Sequence, residues 1–387
     1  MKVFCLRFTF LAFVSSLALF PSLALAGDSA KHLNSQDKAF EAFSRAFALI
    51  QKRGVPQKTT GELTESAING MLQSLDPYSE LYSRKQYEKL QNESMGQYIG
   101  IGVQLLPRPQ GLTIAKVTLN SPAQKAGLKR GDIFVALNDQ TLTPQNEQEV
   151  FTSIPNKVGQ KIKVTYSRGE AKQDLHLNFA AITESSVLTK NLGDDIYLVA
   201  ISDFQKNTAQ EIKTYFNVVK AKGKKIKGIV LDLRNNPGGL LLSGIETAEL
   251  FIKEGLILEI KNSSGKTTQT YPSQGFSTLE YGALSVLVNE RTASSAEILA
   301  GAIKDLNQGK LFGEKTYGKG SIQSFFPLTE ELFVKMTMAR FYTAGGKSFH
   351  KVGIVPDVKI KDQLTSELYS GEDKIFNAGK KWARLKK

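Results

Sequence analysis

A lysine held between two glycines, two adjacent serines and a double-glycine turn are the features of this 387-residue chain that could do chemistry. Ser294 and Ser295 lie in Asn289-Glu290-Arg291-Thr292-Ala293-Ser294-Ser295-Ala296-Glu297, where an apolar strand pattern gives way to a helical one. A hydroxyl at a helix N-terminus sits where a developing oxyanion is favoured, although serine there is also an ordinary helix cap. Lys319 lies in Gly318-Lys319-Gly320-Ser321-Ile322-Gln323. An amine acts as a general base only when burial or neighbouring positive charge lowers its pKa, and glycines on both sides allow close packing around the stem. The third segment, Asp232-Leu233-Arg234-Asn235-Asn236-Pro237-Gly238-Gly239, carries a buried-type strand into a turn and a helix. Backbone N–H groups at such a junction can stabilise a negative oxygen. Serine as nucleophile with lysine as base is the chemistry these three segments would support.

Competing chemistries are weaker. Gly313 to Lys319 spells the start of a phosphate-binding loop, but Gly320 stands where Ser or Thr is needed and a strand pattern follows where that loop needs a helix. The three histidines, His32, His176 and His350, are too scattered for a metal centre. His176 falls in an alternating strand, which leaves His350 as the rival base for a Ser-His arrangement. Cys5 is the single cysteine. No metal or organic cofactor is implied.

The elements that must position these residues change character along the chain. Residues 35–93 read as helical, with Phe40, Phe43, Phe47 and Ile50 at helical spacing, Ala67, Ile68, Met71 and Leu75 likewise, and a further helix near Lys85 to Asn92. Residues 96–180 read as a small β module. Strands are expected over Tyr98 to Leu106, Leu112 to Val117 and Asp132 to Leu137, and a hairpin over Lys161 to Tyr166 and Gln173 to Phe179. Ser121-Pro122-Ala123 starts a short helix that Gly127 ends, and another helix covers Asn146 to Phe151. From residue 182 strands and helices alternate. Lys227 to Leu233 and Leu284 to Val288 are continuous apolar strands, and Ala293 to Leu306 is a helix. The fold class is therefore α/β and α+β multidomain.

Composition is ordinary for a globular chain, with 41% hydrophobic, 22% charged and 9% aromatic residues, which excludes collagen-like and disordered classes. The first 26 residues read as a secretory signal peptide. Lys2 and Arg7 precede an apolar run from Phe8 to Phe20, and Ala24-Leu25-Ala26 forms the cleavage site; an uncleaved anchor is the alternative. An exported, periplasmic protein is expected, without cysteine once Cys5 is removed. The net charge of +13 is spread along the chain, densest at Lys220 to Lys227 and Lys380 to Lys387. Solvated faces account for it, attraction to a membrane surface or cell wall being the other reading; no nucleic-acid motif occurs.

Taken together and in order, these segments resemble the carboxy-terminal processing (tail-specific) proteases, a PDZ-containing Ser/Lys peptidase family. The resemblance runs from about residue 35 to 360 through SLDPYS (74–79), GIGV (100–103), SPAQKAGLKRGD (121–132), DLRNNPGG (232–239), TASSAEILAGAIKD (292–305), GEKTYGKGSIQ (313–323) and RFYTAGGKSFHKVGIVPD (340–357). It implies a signal peptide over 1–26, a helical N-terminal region over 27–95, a PDZ domain over 96–181, a Ser/Lys peptidase core over 182–365 and a basic tail over 366–387. Residue by residue, it implies Ser294 as nucleophile, Lys319 as base 25 positions later and Gln323 as the residue that orients it. A backbone N–H of Gly238 or Gly239 and that of Ser295 would form the oxyanion hole. Gly100, Ile101, Gly102 and Val103 would hold a substrate's C-terminal carboxylate, beside a pocket for an apolar last side chain. Two departures stand out: Ser295 and Ala296 exchange the family's usual small residues, and Thr343-Ala344-Gly345-Gly346 replaces a T-P-S-G stretch. The expected partners are protein or peptide substrates with apolar tails. The N-terminal helices and the Trp382 tail could dock an adaptor or a second copy, or pack within the chain. A PDZ scaffold on a silent protease fold is the rival function.

Overall fold

Two strands buried along their whole length, Gly228–Asp232 and Ala283–Val288, form the centre of a six-stranded sheet. The computed structural model describes residues 33–385 apart from 95, 109–110, 144–145, 155–156, 276–278 and 362–367. The expected signal peptide lies outside the described residues. The sheet runs Val187–Asn191, Ile196–Ile201, Gly228–Asp232, Ala283–Val288, Lys310–Gly313, Val358–Lys359. Its first pair is antiparallel and the rest are parallel. Side chains alternate across it. Tyr197, Val199, Ile229, Leu231 and Val286 pack with the helices Thr208–Ala221, Leu241–Glu249 and Ser295–Asp305. Ile196, Leu198, Val230 and Leu287 face Ile375 and Phe376 of the helix Lys374–Leu385. Continuous apolar strands follow from this covering of both faces.

The basic tail is thus a structural element. Trp382 packs near Phe312, 6.3 Å between rings, and Ala383 is buried under the sheet. A second, antiparallel sheet contains Glu80–Ser83, Leu332–Thr343, Leu256–Asn262 and Thr267–Pro272, with Ser321–Pro327 paired to Leu332–Thr343. Residues 80–83, expected to be helical, form its edge strand, because Asp76 turns the chain by accepting N–H bonds from Tyr78 and Ser79.

The β module pairs Val103–Arg108, Gly111–Val117, Ile133–Leu137, Lys161–Arg168 and Ala171–Asn178 around Ile114, Phe134, Leu137 and Val164. Ser121 accepts the Gln124 N–H to start the helix Pro122–Lys125, and Gly127 ends it at φ +83°. One expected strand is two, Gln97–Gly100 and Val103–Arg108, divided at Gly102. There φ is +84°, and a Cβ would fall 2.1 Å from that of Ser121, so only glycine fits.

Residues 33–68 belong to a separate unit. Its helix Leu33–Arg53 carries a stack of Phe40, Phe43 and Phe47, with Phe40 70% exposed. Thr59 and Glu62 cap the next helix reciprocally.

Candidate active site

Ser294 stands six residues beyond the end of strand Ala283–Val288, immediately before the helix Ser295–Asp305. Its φ of 57° is unusual for a residue with a side chain, and such strain persists only where the surroundings over-determine it. Those surroundings are named. The Ser294 N–H donates to Glu297 Oε2 at 3.0 Å, the Ala293 N–H to the Asn236 carbonyl at 2.9 Å, and the Thr292 hydroxyl to the Leu233 carbonyl at 2.8 Å. Gly238 lies so close that a Cβ there would sit 2.6 Å from the Ser294 Cβ.

Lys319 reaches the same place from the opposite side. Ser294, Ser295, Lys319, Gln323, Gly239 and Lys335 line one cavity of about 560 Å³, together with Pro237, Leu241, Ile322 and Phe341. Its flanking glycines have a spatial reason. A Cβ on Gly318 would meet the Gly353 nitrogen at 2.9 Å, and one on Gly320 the His350 nitrogen at 2.9 Å. Burial pushes the Lys319 pKa down, and the Lys335 ammonium adds to this; Asp76 and Glu80 oppose it. Its Nζ lies 4.9 Å from the centre of the Tyr78 ring and makes no hydrogen bond among the described residues.

One buried carboxylate joins the two segments. Glu297, fully buried, accepts the N–H groups of Ser294, Gly318 at 2.7 Å and Lys319 at 2.8 Å, and the Thr316 hydroxyl. Burial raises its pKa, and these hydrogen bonds work against the rise. Sequence reasoning quoted Glu297 only within a motif. The signal was present, a Ser-x-x-Glu spacing at a helix start, which is how a carboxylate comes to face its own cap.

The double-glycine turn is held as firmly. Asn236, fully buried, donates from Nδ2 to the Ile201 carbonyl and accepts the Gly238 N–H on Oδ1 at 2.8 Å. Phe204 brackets the next residue, its N–H on the Gly238 carbonyl and its carbonyl on the Leu240 N–H, both at 2.8 Å. The Gly238 N–H is therefore engaged. The N–H groups of Gly239 and Ser295 donate to no described residue, and both residues line the cavity. Upstream, Arg234 is buried between Asp232 and Asp373.

Gln323 shares the cavity, and its amide N–H groups donate to the Ser321 and Thr337 hydroxyls, at 2.9 and 3.1 Å. His350 packs behind Gly320 and is absent from the cavity lining; burial lowers its pKa, and its Nδ1 is unpartnered. In the β module, Gly100, Ile101, Gly102 and Val103 edge an apolar cavity of about 260 Å³ with Phe134, Phe151, Ile162 and Phe179. The Ile101 and Gly102 N–H groups donate to no described residue.

A serine just before a helix and a buried lysine thus line one cavity, and the β module carries an apolar cavity of its own. Comparison with known proteins gives the family. Residues 195–360 match peptidase family S41, residues 98–179 the PDZ domain, and residues 14–86 the N-terminal domain of the activating protease CtpB. A protein of Staphylococcus epidermidis named "Probable CtpA-like serine protease" is 29% identical over 377 residues, spanning 96% of this chain and 76% of its own. One of the same name from Staphylococcus haemolyticus is 32% identical over 338 residues, with 86% and 67% covered. The solved photosystem II D1 C-terminal processing protease superposes with a TM-score of 0.50 at 26% identity, covering 84% of this chain and 88% of its own. The chain belongs to the S41 family of serine peptidases.

Proposed function

We propose that this is an exported endopeptidase that reads the C-terminal tail of protein substrates and cuts them with a Ser294/Lys319 dyad. The observation that carries the reading is the shared cavity: a strained serine at a helix start lines it together with a lysine whose ammonium form is disfavoured by burial and by Lys335. Neutral Lys319 takes the Ser294 Oγ proton as Oγ bonds to the scissile carbonyl carbon. The oxyanion rests on the Gly239 and Ser295 N–H groups, the two left undonated at the cavity wall. Collapse returns the proton to the leaving amine, and water then clears the ester by the same base. The Ile101 and Gly102 N–H groups supply the site for the tail carboxylate, and the peptide adds as a strand beside the apolar cavity. The order of a basic stretch, an apolar run and Ala24-Leu25-Ala26 supports export with removal of residues 1–26, into the periplasm of a two-membraned bacterium.

The test is cleavage of an unstructured reporter with an apolar tail, free or amidated, by wild type, Ser294→Ala and Lys319→Ala. Loss of cleavage in both variants and weakening by amidation are expected. A wild type that binds the free tail without cutting would replace this reading with a PDZ scaffold.

A further inference from the structure

The strand that leads to the double-glycine turn ends in a buried charge cluster whose second anchor comes from the far end of the chain. Arg234 is 139 residues from Asp373, yet the two are paired in a bidentate manner, Nη1 to Oδ1 at 2.8 Å and Nη2 to Oδ2 at 2.9 Å. On its other side Arg234 donates from Nε and Nη2 to Asp232, again in bidentate form. All three side chains are under 5% exposed. The segment is held within the fold by the Leu233 N–H on the Leu287 carbonyl and the Asn235 N–H on Asn289 Oδ1. Asp373 adds a tie from the Arg234 guanidinium to the C-terminal helix. It accepts the Phe376 N–H at the start of helix Lys374–Leu385 and the Tyr369 N–H, and the helix is bedded under the sheet through Ile375 and Phe376. Arg234 is followed directly by Asn235, in the left-handed region at φ 59°, and then by Asn236, whose carbonyl holds the Ala293 N–H and whose side chain holds that of Gly238. The fixed guanidinium is thus one of the ties on the segment that leads to Gly239, beside those of Asn235 and Asn236.

We infer that Asp373 is a positioning residue for the oxyanion-binding turn, acting through Arg234, so that the C-terminal helix completes the active site without touching substrate. This rests on the proposed Ser294 mechanism, with Gly239 as a donor. A carboxylate at this place does two separable things. An asparagine can still accept the Phe376 N–H, since it caps helices as well as aspartate does, but it cannot take both guanidinium N–H bonds.

The experiment compares wild type, Asp373→Asn, Asp373→Glu and Ser294→Ala on the tailed reporter, together with inhibition by a peptide aldehyde of the reporter's sequence. The aldehyde carbon bonds to Ser294 Oγ and places its oxygen in the oxyanion site. For Asp373→Asn, kcat is expected to fall about 10- to 100-fold with KM unchanged, and the aldehyde Ki to rise by a matching factor. Asp373→Glu, which keeps the charge on a longer arm, is expected to lie between it and wild type. Three results would overturn the inference: folded Asp373→Asn with kcat within about twofold of wild type, a fall in kcat with Ki unchanged, or, should the asparagine variant not fold, folded Asp373→Glu with wild-type kcat and Ki. Ser294→Ala separates the two levels. Full cleavage by it removes the mechanism itself, whereas its inactivity beside an unaffected Asp373→Asn removes only the role of Asp373.

Discussion

The two sides of the catalytic cavity are built differently. Around Ser294 the main chain is tied on every side, by Glu297, Asn236 and the close face of Gly238. Around Lys319 the same care extends to the backbone, through Glu297 and two crowded glycines, and stops there. The lysine tip has a ring beside it and no hydrogen bond among the described residues. The difference fits the roles proposed for the two residues. A nucleophile and its oxyanion donors gain from a fixed frame, because their dipoles then need no reorganisation as charge develops. A base must lose and regain a proton, so its tip is governed by desolvation and nearby charge, which act without fixed contacts.

The largest effect falls on both sides alike. Ser294→Ala and Lys319→Ala are each expected to lower kcat about 10⁴-fold or more, and the double variant no further, since members of one catalytic unit are not additive. Steady-state cleavage checks this; a double variant far below either single one would mean that the two residues act separately.

Glu297→Gln attacks the fixed frame. A glutamine offers one acceptor oxygen and turns an NH₂ toward N–H groups that now donate to a carboxylate. A drop in kcat of about 100-fold is expected, with stability reduced by about 2 kcal/mol or more in denaturant unfolding. Wild-type kcat would show that the Ser294 and Lys319 backbones do not depend on their shared carboxylate.

Gly102→Ala extends the comparison to the PDZ domain, where the loop proposed to hold the tail carboxylate is also main chain under crowding. Tail affinity, measured by peptide titration, is expected to fall about tenfold or more, while cleavage of a short reporter without a recognised tail stays unchanged. Equal loss on both reporters would contradict a separate tail site.

Lys335→Gln probes the electrostatic side. Removing a positive neighbour makes protonated Lys319 easier to keep, so its pKa rises and the alkaline limb of kcat/KM moves to higher pH. Glu80→Gln acts with the opposite sign, moving the limb to lower pH, to the extent that the Lys335 ion pair at 3.2 Å does not mask it. Gln323→Ala is expected to have the smallest effect, about threefold or less on kcat, because its amide serves Ser321 and Thr337. A loss near that of Lys319→Ala would mean that the glutamine turns toward the lysine once substrate is bound.

Local grammar carried much of this site into the sequence. Apolar strands buried on both faces, a Pro-started helix ended by glycine, and glycines beside a lysine are short-range patterns with short-range causes. What escaped is long-range or dual. Asp373 lies 139 residues from its partner Arg234, and nothing near it announces a charge pair. Residues 80–83 fell inside a region read as helical, between a break and a further helix near Lys85, because strand Leu332–Thr343, their pairing partner, is far along the chain. Glu297 looked like part of a helix start, and only folding brings the Gly318 N–H to its Oε1 and the Lys319 N–H to the Oε2 that Ser294 uses. Packing of the lysine-rich C-terminus within the chain was one of its readings, but which surface takes its apolar face, Ile375, Phe376 and Ala383, needs the folded sheet.

The central claim is that Lys319 is the base for Ser294, and acylation tests it without the later steps. The rate of Ser294 labelling by an active-site-directed phosphonate would be followed against pH in wild type and Lys335→Gln. The account predicts a rate that rises with a single ionisation below the ordinary lysine range, and a limb that moves to higher pH in Lys335→Gln. A limb unmoved by Lys335→Gln but abolished by His350→Ala would contradict it, and would give the proton to the histidine.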